Sequence, residues 1–355
     1  MKPLRVAVVG AGHLGRIHTR LLRSLPTVEF VGVADPIEEA RCRVATEFET
    51  RAFASHRELL GQIDAAIVAT TTQHHASVGA DLLAQGVHVL LEKPITPTVA
   101  EADRLVALAD AKQCVLQVGH VERFNGAWIA ATPFLRQPRY IEAVRTSSYT
   151  FRSTDISVVL DLMIHDLDLV LSIVDSEVVD VQATGATVFG PHEDLAHAHL
   201  RFANGCLASL NTSRTSFQAQ RTMQFLGEGV YVGIDFAAPS ARVIRPSRKL
   251  RHGQIPIHQL SAAERQAFQQ NLFTEILPTR QLKVQTINAI QEEQLEFVRC
   301  IQQHEEPRCS GRQARDHLRI AERILAEIQS HTADQPSFGG ERRPVQPSMP
   351  IRRAA

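Results

Sequence analysis

Residues 4–118 alternate short apolar runs with longer helical ones, and that rhythm leaves few folds open. The apolar runs are 4–9, 30–34, 65–69, 87–91 and 114–118. Between them lie 13–25, 36–48, 74–85 and 98–109, each with apolar positions three and four apart. The runs are rich in Val, Ile and Leu without strict alternation, so both faces of each strand are buried. Helices on either side of a parallel sheet produce that pattern. An α/β domain is therefore expected over residues 1–120.

After residue 121 the rhythm changes. A linking helix is expected at 121–135, a strand at 141–149 and a long apolar helix at 157–174. Strand-like segments then follow at 178–188, 196–202, 206–212, 222–226 and 230–235, with Asn204-Gly205 as a hairpin turn and Gly227-Glu228-Gly229 as another. Consecutive strands without intervening helices predict a mostly antiparallel sheet, hence an α+β domain over 121–330. Helices are expected at 262–277, 285–303 and 313–329. The segment 331–355 carries four prolines and little apolar periodicity, and reads as a flexible tail.

Composition narrows the function classes. A chain of 355 residues fits two ordinary domains, and 44% hydrophobic with 21% charged residues describes a globular protein. Lys plus Arg and Asp plus Glu number 38 each, so no general attraction to nucleic acid is expected. Five scattered cysteines (Cys42, Cys114, Cys206, Cys300, Cys309) form no CxxC and suit a reducing, cytoplasmic setting. No run approaches the length of a transmembrane span. Strand-like sequence from Leu4 leaves no room for a signal peptide, so none is expected.

The turn Gly10-Ala11-Gly12-His13-Leu14-Gly15 follows the first buried strand and opens the first helix. Gly10 permits the tight turn, Gly12 leaves space for a pyrophosphate, and Gly15 lets helix and strand approach. The helix N-terminus then offers free N–H groups to phosphates. Asp35 ends the next strand where an adenosine ribose would lie. Its carboxylate accepts from ribose hydroxyls and repels a 2′-phosphate, which favours NAD over NADP; a helix-capping role ahead of Pro36 is the alternative.

Two further motifs extend this to an enzyme. Glu92-Lys93-Pro94 ends the strand at 87–91, and Asp161-Leu162-Met163-Ile164-His165 lies in the apolar helix of the second domain. With the glycine turn, with Ala69-Thr70-Thr71-Thr72-Gln73-His74-His75 and with residues 86–91, they resemble the glucose–fructose oxidoreductase / inositol dehydrogenase / rhizopine catabolism family over residues 4–330. Thr71 departs from the family's usual proline, and residues 155–160 lack its common glycines. The segment Gly119-His120-Val121-Glu122-Arg123-Phe124-Asn125, with 157–168, resembles the subgroup of UDP-N-acetylglucosamine 3-dehydrogenases that prepare a 3-amino sugar for lipid A.

Asp161 and His165, four apart on an expected helix, share a face. The acid can hold substrate or orient the imidazole. The resemblance implies that His165 is the base and that Lys93, reaching from the first domain, bonds the reacting oxygen, with a cis bond to Pro94 fixing the turn. It also implies that Thr70, Thr71, His75 and Glu92 join Gly10, Gly12, His13, Leu14, Gly15, Asp35 and Lys93 around NAD. Taken singly, Lys93 could be a solvated lysine and His165 a core histidine. Asp168 could bind substrate or make an interhelical contact.

A UDP-sugar would need phosphate and amide partners. Arg123 and Asn125 are candidates beside Lys93, Asp161 and His165, with Arg152 and Arg214 as further donors. Each arginine could equally make an ion pair. His74, His75, Asp161, His165 and Asp168 are potential metal ligands, but no sequence-local metal motif joins them, so no metal is expected. The remaining expectations are a homodimer or homotetramer paired through the sheet face and an aminotransferase acting next. The alternatives are a dehydrogenase of a free sugar or inositol, and a non-catalytic dinucleotide-binding sensor or structural subunit.

Overall fold

Strand β1 (Leu4–Val9) lies inside a six-stranded sheet and feeds helix α1 (His13–Leu22) through the glycine turn. The first unit continues with β2 (Val28–Ala34), α2 (Glu38–Glu47), β3 (Arg51–Phe53), β4 (Ala65–Val68), α3 (His75–Ala84), β5 (His88–Leu91), α4 (Val99–Lys112) and β6 (Leu116–Val118). This computed structural model describes residues 3–151 and 155–332, so Arg152 and the expected tail from residue 333 lie outside the described residues. The strand order is β3-β2-β1-β4-β5-β6 and every pair is parallel. All of β4 is buried, as two helical layers require. The order reverses between β1 and β4, and the crevice outside the strand ends at that point is where such sheets bind ligands.

The second unit holds α5 (Gly126–Ala131), β7 (Pro138–Thr146), α6 (Ile164–Ile173), β8 (Val178–Ala186), β9 (Leu195–Phe202), β10 (Leu207–Ser213), β11 (Gln220–Gly227), β12 (Val230–Asp235) and β13 (Ser240–Ile244). It continues with α7 (Arg248–Arg251), α8 (Ala262–Gln270) and β14 (Thr279–Gln281). Its eight strands run β14-β13-β12-β11-β7-β10-β9-β8, all antiparallel except the β7–β10 pair. In β9, Ala196, Ala198, Leu200 and Phe202 face the core while Leu195, His197, His199 and Arg201 face the other way. That alternation is the mark of a sheet covered on one side. The expected α/β plus α+β architecture is therefore what the chain adopts.

Three expected elements differ. The linking helix at 121–135 is broken, because Asn125 caps α5 by accepting from Ala127 N at 3.0 Å and short 3₁₀ turns flank it. The helix at 157–174 opens with a π turn over Val159–Met163 before α6 begins. The helix at 262–277 stops at Gln270 and gives way to another π turn, Leu272–Ile276. Strands β3, β13 and β14 were not anticipated; β3 and β14 span three residues each, too few for alternation to register.

Helices α9 (Ala289–Gln303) and α10 (Gly311–Thr332) tie the units together. Phe297 and Ile301 of α9 pack with Val6, Val8 and Val33 of the first sheet. Ala314 and Leu318 of α10 enter the first unit's other core, whereas Ala321, Ile324 and Ile328 enter the second unit's. One helix of 22 residues thus buries its two halves in two cores. Among the described residues, no helix is long and apolar enough to cross a membrane.

The phosphate turn leaves no slack. A Cβ on Gly15 would lie 1.8 Å from Gly10 O, a backbone atom that cannot swing aside. Gly15→Ala is expected to cost roughly 1–3 kcal/mol, the usual range for overpacking. Thermal unfolding beside the unaltered chain checks this, and an unchanged midpoint would mean that the turn relaxes freely.

Candidate active site

The turn and the ends of β1, β2 and β4 enclose a cavity of about 670 Å³, lined by Gly12, His13, Leu14, Asp35, Thr70 and Thr71 among others. Helix α1 has no side-chain cap at its N-terminus, so its first N–H groups stay open to an anion. A Cβ on Gly12 would meet nothing within 4 Å, which is the space a pyrophosphate needs. Gly10, by contrast, takes φ +105°, and a Cβ there would strike Ala69 O at 2.5 Å. These residues fit a dinucleotide.

Asp35 does two things at once. Its Oδ2 accepts from Ala11 N at 2.7 Å and its Oδ1 from Ile37 N at 2.8 Å. The carboxylate therefore braces the phosphate turn and the entry to α2. Each oxygen retains a second acceptor site for a ribose hydroxyl. His75 is turned inward instead. Its Nδ1 lies 2.9 Å from Pro94 O and its Nε2 3.2 Å from Thr70 O, so it joins two crevice loops from behind. Glu92 is also directed inward, with Oε1 2.8 Å from Nε2 of His18.

Lys93 reaches from the end of β5 to the second unit. Its Nζ donates to Asp161 O at 2.6 Å and to Asp161 Oδ1 at 3.1 Å. The Lys93–Pro94 peptide is cis. Asp161 sits in the π turn, so its carboxylate meets Lys93 and makes no hydrogen bond to His165, whose Nδ1 is buried without a partner. The residue types thus assemble, but Asp161 does not orient the imidazole. Burial pushes the His165 pKa well below the ordinary histidine value, and the charges of Lys93 and Arg145 push the same way. His165 is consequently neutral at pH 7 and able to accept a proton.

Buried ion pairs hold this helix. Arg123 Nε and Nη2 donate to Asp168 Oδ2 and Oδ1 at 2.7 and 2.8 Å, and Nη1 donates to Arg308 O at 2.8 Å. Arg145 donates to both oxygens of Asp166 and to Glu122 Oε1. The expectation that Arg123 meets a substrate phosphate gains no support here, because its fork is spent inside the protein. Asn125 likewise caps α5 and donates to Glu122 Oε2 at 3.1 Å. Arg214 is buried on Asp194 and on Ile156 O.

His120 and His317 gather around Asp168, with Nδ1 atoms 3.9 and 3.0 Å from its Oδ1. Their ligand atoms lie close enough together for a cation, a cluster that sequence reading missed. Arg123 already clasps both carboxylate oxygens, so the acid's charge is answered by the guanidinium. Burial holds His120 down at about 4. Burial works against the Asp168 carboxylate, yet His120 and Arg123 keep its pKa well below the usual range. His18, buried on α1, was also passed over. A histidine at a core-facing position of that helix was its only signal.

A dinucleotide crevice facing a lysine, an acid and a neutral histidine defines an NAD-dependent dehydrogenase of a CH–OH group. The chain belongs to the oxidoreductase family whose models match residues 4–120 as the NAD-binding Rossmann fold and 125–231 as the GFO/IDH/MocA C-terminal domain. It is 38% identical over 238 residues to the UDP-N-acetylglucosamine 3-dehydrogenase of Acidithiobacillus ferrooxidans, covering 66% of this chain and 74% of that protein. A solved structure of that enzyme, GnnA, aligns with a TM-score of 0.81 at 30% identity, covering 93% of this chain and 99% of the other. The WlbA dehydrogenase of Bordetella pertussis, in complex with NADH and UDP-GlcNAcA, shares the fold with a TM-score of 0.73 at 19% identity, covering 93% and 98%.

Asp35→Ala removes both the ribose acceptor and the brace on Ala11. Weaker NAD binding is expected, together with a narrowed or inverted preference over NADP. Calorimetric titration with both cofactors checks this, and a native protein that binds NADP more tightly would overturn it.

Proposed function

We propose that the chain oxidises the 3-hydroxyl of UDP-N-acetylglucosamine to a 3-keto sugar. The observation that carries the reading is the meeting of Lys93 with Asp161 across the crevice, one turn from a neutral His165. The similarity to the Acidithiobacillus enzyme supplies the substrate. Oxidation of a carbinol removes its hydroxyl proton and the hydride on its carbon; bound NAD supplies the hydride acceptor. His165 takes the proton. The Lys93 ammonium, released in part from Asp161, donates to the reacting oxygen and favours alkoxide character. Asp161 then accepts from a neighbouring sugar hydroxyl while keeping Lys93 in place.

A second reading, dehydrogenation of a free sugar or inositol, draws on one observation. Arg123 and Asn125, the donors expected for a diphosphate and an amide, are engaged within the protein. An absorbance screen at the NADH band against UDP-sugars, free sugars and inositols separates the two. NADH formed with UDP-N-acetylglucosamine and not with the free sugars supports the first.

A 3-keto sugar is the substrate an aminotransferase needs, so we place such an enzyme next, leading towards lipid A. Five free cysteines suit the reducing cytoplasm. The second sheet's open face carries exposed Tyr140, Leu207 and Leu226, which are cross-strand neighbours. A second copy of the chain covers them in the assembly we propose, a dimer or a dimer of dimers. Light scattering at micromolar concentration tests this, and a monomer would count against it.

The two catalytic residues make the decisive variants. Lys93→Ala should lower kcat by ~10²-fold or more, and His165→Ala by roughly 10²–10⁴-fold, with little change in NAD affinity. Because burial and Lys93 hold His165 below its ordinary value, the acidic limb of kcat/KM should begin below pH ~6.5. In the residual activity of Lys93→Ala that limb should move upward, since a cation has gone. Near-native turnover by a well-folded His165→Ala protein would defeat the mechanism.

A further inference from the structure

Helix α9 returns from the second unit to bury Gln294 against α1. Gln294 Nε2 lies 2.8 Å from His18 Nδ1 and 3.3 Å from His18 O. A carbonyl oxygen can only accept, so the amide end facing His18 is the NH₂, and it donates to Nδ1 as well. The ring proton of His18 must then sit on Nε2, which donates to Glu92 Oε1 at 2.8 Å. His18 and Gln294 have no exposed surface and Glu92 is buried, so water does not compete. Gly119 closes the far side, where a Cβ would come within 3.0 Å of Glu92 Oε2.

Glu92 follows β5 and Asp35 follows β2, on opposite sides of β1 in the sheet. With the adenosine ribose at Asp35, the nicotinamide half lies towards Glu92. We propose that Gln294 and His18 form a tautomer lock that keeps Glu92 a carboxylate at the nicotinamide end. The locked charge favours the oxidised cofactor, whose ring is cationic, over the reduced one, whose ring is neutral. Gln294 is a positioning residue in this scheme, acting through His18.

The groups facing Glu92 are His18 from α1, His75 from α3, Lys93 beside it and Glu293 from α9. Burial pushes the Glu92 carboxyl up, but the hydrogen bond from His18 and the positive charge of Lys93 bring it below the usual range. Glu293 is pushed well above that range, by burial first and then by the neighbouring Glu92 charge.

Two substitutions and one spectrum test the lock on the full chain. Gln294→Met keeps the volume but frees Nδ1, so the tautomer can invert and present a lone pair to Glu92, which then protonates. The preference for NAD⁺ over NADH, read as the ratio of their calorimetric dissociation constants, is expected to fall roughly threefold to tenfold, more at pH 6 than at pH 8. Gln294→Glu donates to Nδ1 as an acid, or leaves His18 an imidazolium as a carboxylate. Either way Nε2–H still meets Glu92, and the ratio should stay within about twofold. Simple packing predicts the reverse order, with Met tolerated in the core and Glu not. A Gln294→Met protein with native ratio and native thermal midpoint overturns the proposal, as does a Gln294→Glu protein that loses the preference. The ¹⁵N histidine spectrum of the unaltered protein needs no variant: an Nε2–H tautomer is expected for His18, and an Nδ1–H tautomer overturns the lock.

Discussion

Two arginines, each clasping an aspartate of α6 in the dry interior, fix the helix on which the second half of the site is built. Arg123 comes from the segment leaving the first unit, and Arg145 from the second sheet. Their hold is of a different order from that of the surface pairs. Exposed pairs such as Arg312–Asp110 contribute about 0–1 kcal/mol. Stranding one buried charge costs roughly 3–5 kcal/mol. The clasps therefore set where α6 sits relative to both units, and with it His165. Helix α10, with half its apolar face in each core, keeps the units from shifting against each other.

That rigidity serves electrostatics. His165 lies where burial and the charges of Lys93 and Arg145 oppose its protonation, and Asp168 alone among its main influences favours it. Lys93 is held from the opposite wall by a carbonyl and a carboxylate of a single residue. The π turn makes this contact possible, since it presents both the backbone and the side chain of Asp161 to the lysine. On the cofactor side, Asp35 and Glu92 are each kept in place by a donor from the α1 region, Ala11 N for the first and His18 Nε2 for the second.

The first unit was readable because its strands are buried on both faces, as helices on either side of a parallel sheet require. The second sheet was readable from strand after strand without helices, and from Asn204-Gly205, where Gly205 takes φ +85°. What sequence could not show was pairing at long range. Arg123 looks like a free donor until its partner, 45 residues away, is seen. The π turn was invisible because, over five residues, its period barely departs from that of an α-helix. Gln294 and His18 were hidden for a related reason. Periodicity marks a buried face but not what it is buried against, and 276 residues separate them. Lys93, Asp161 and His165 were legible as a set, although the contact between the acid and the lysine, rather than the histidine, was not.

The central chemical event is removal of hydride from one sugar carbon at this crevice. UDP-N-acetylglucosamine carrying deuterium at C3 provides the most direct measurement. The label is expected in the NADH produced, with a normal primary isotope effect on kcat/KM when chemistry limits the rate. NADH formed without deuterium would contradict the account, because the hydride would then have come from another carbon.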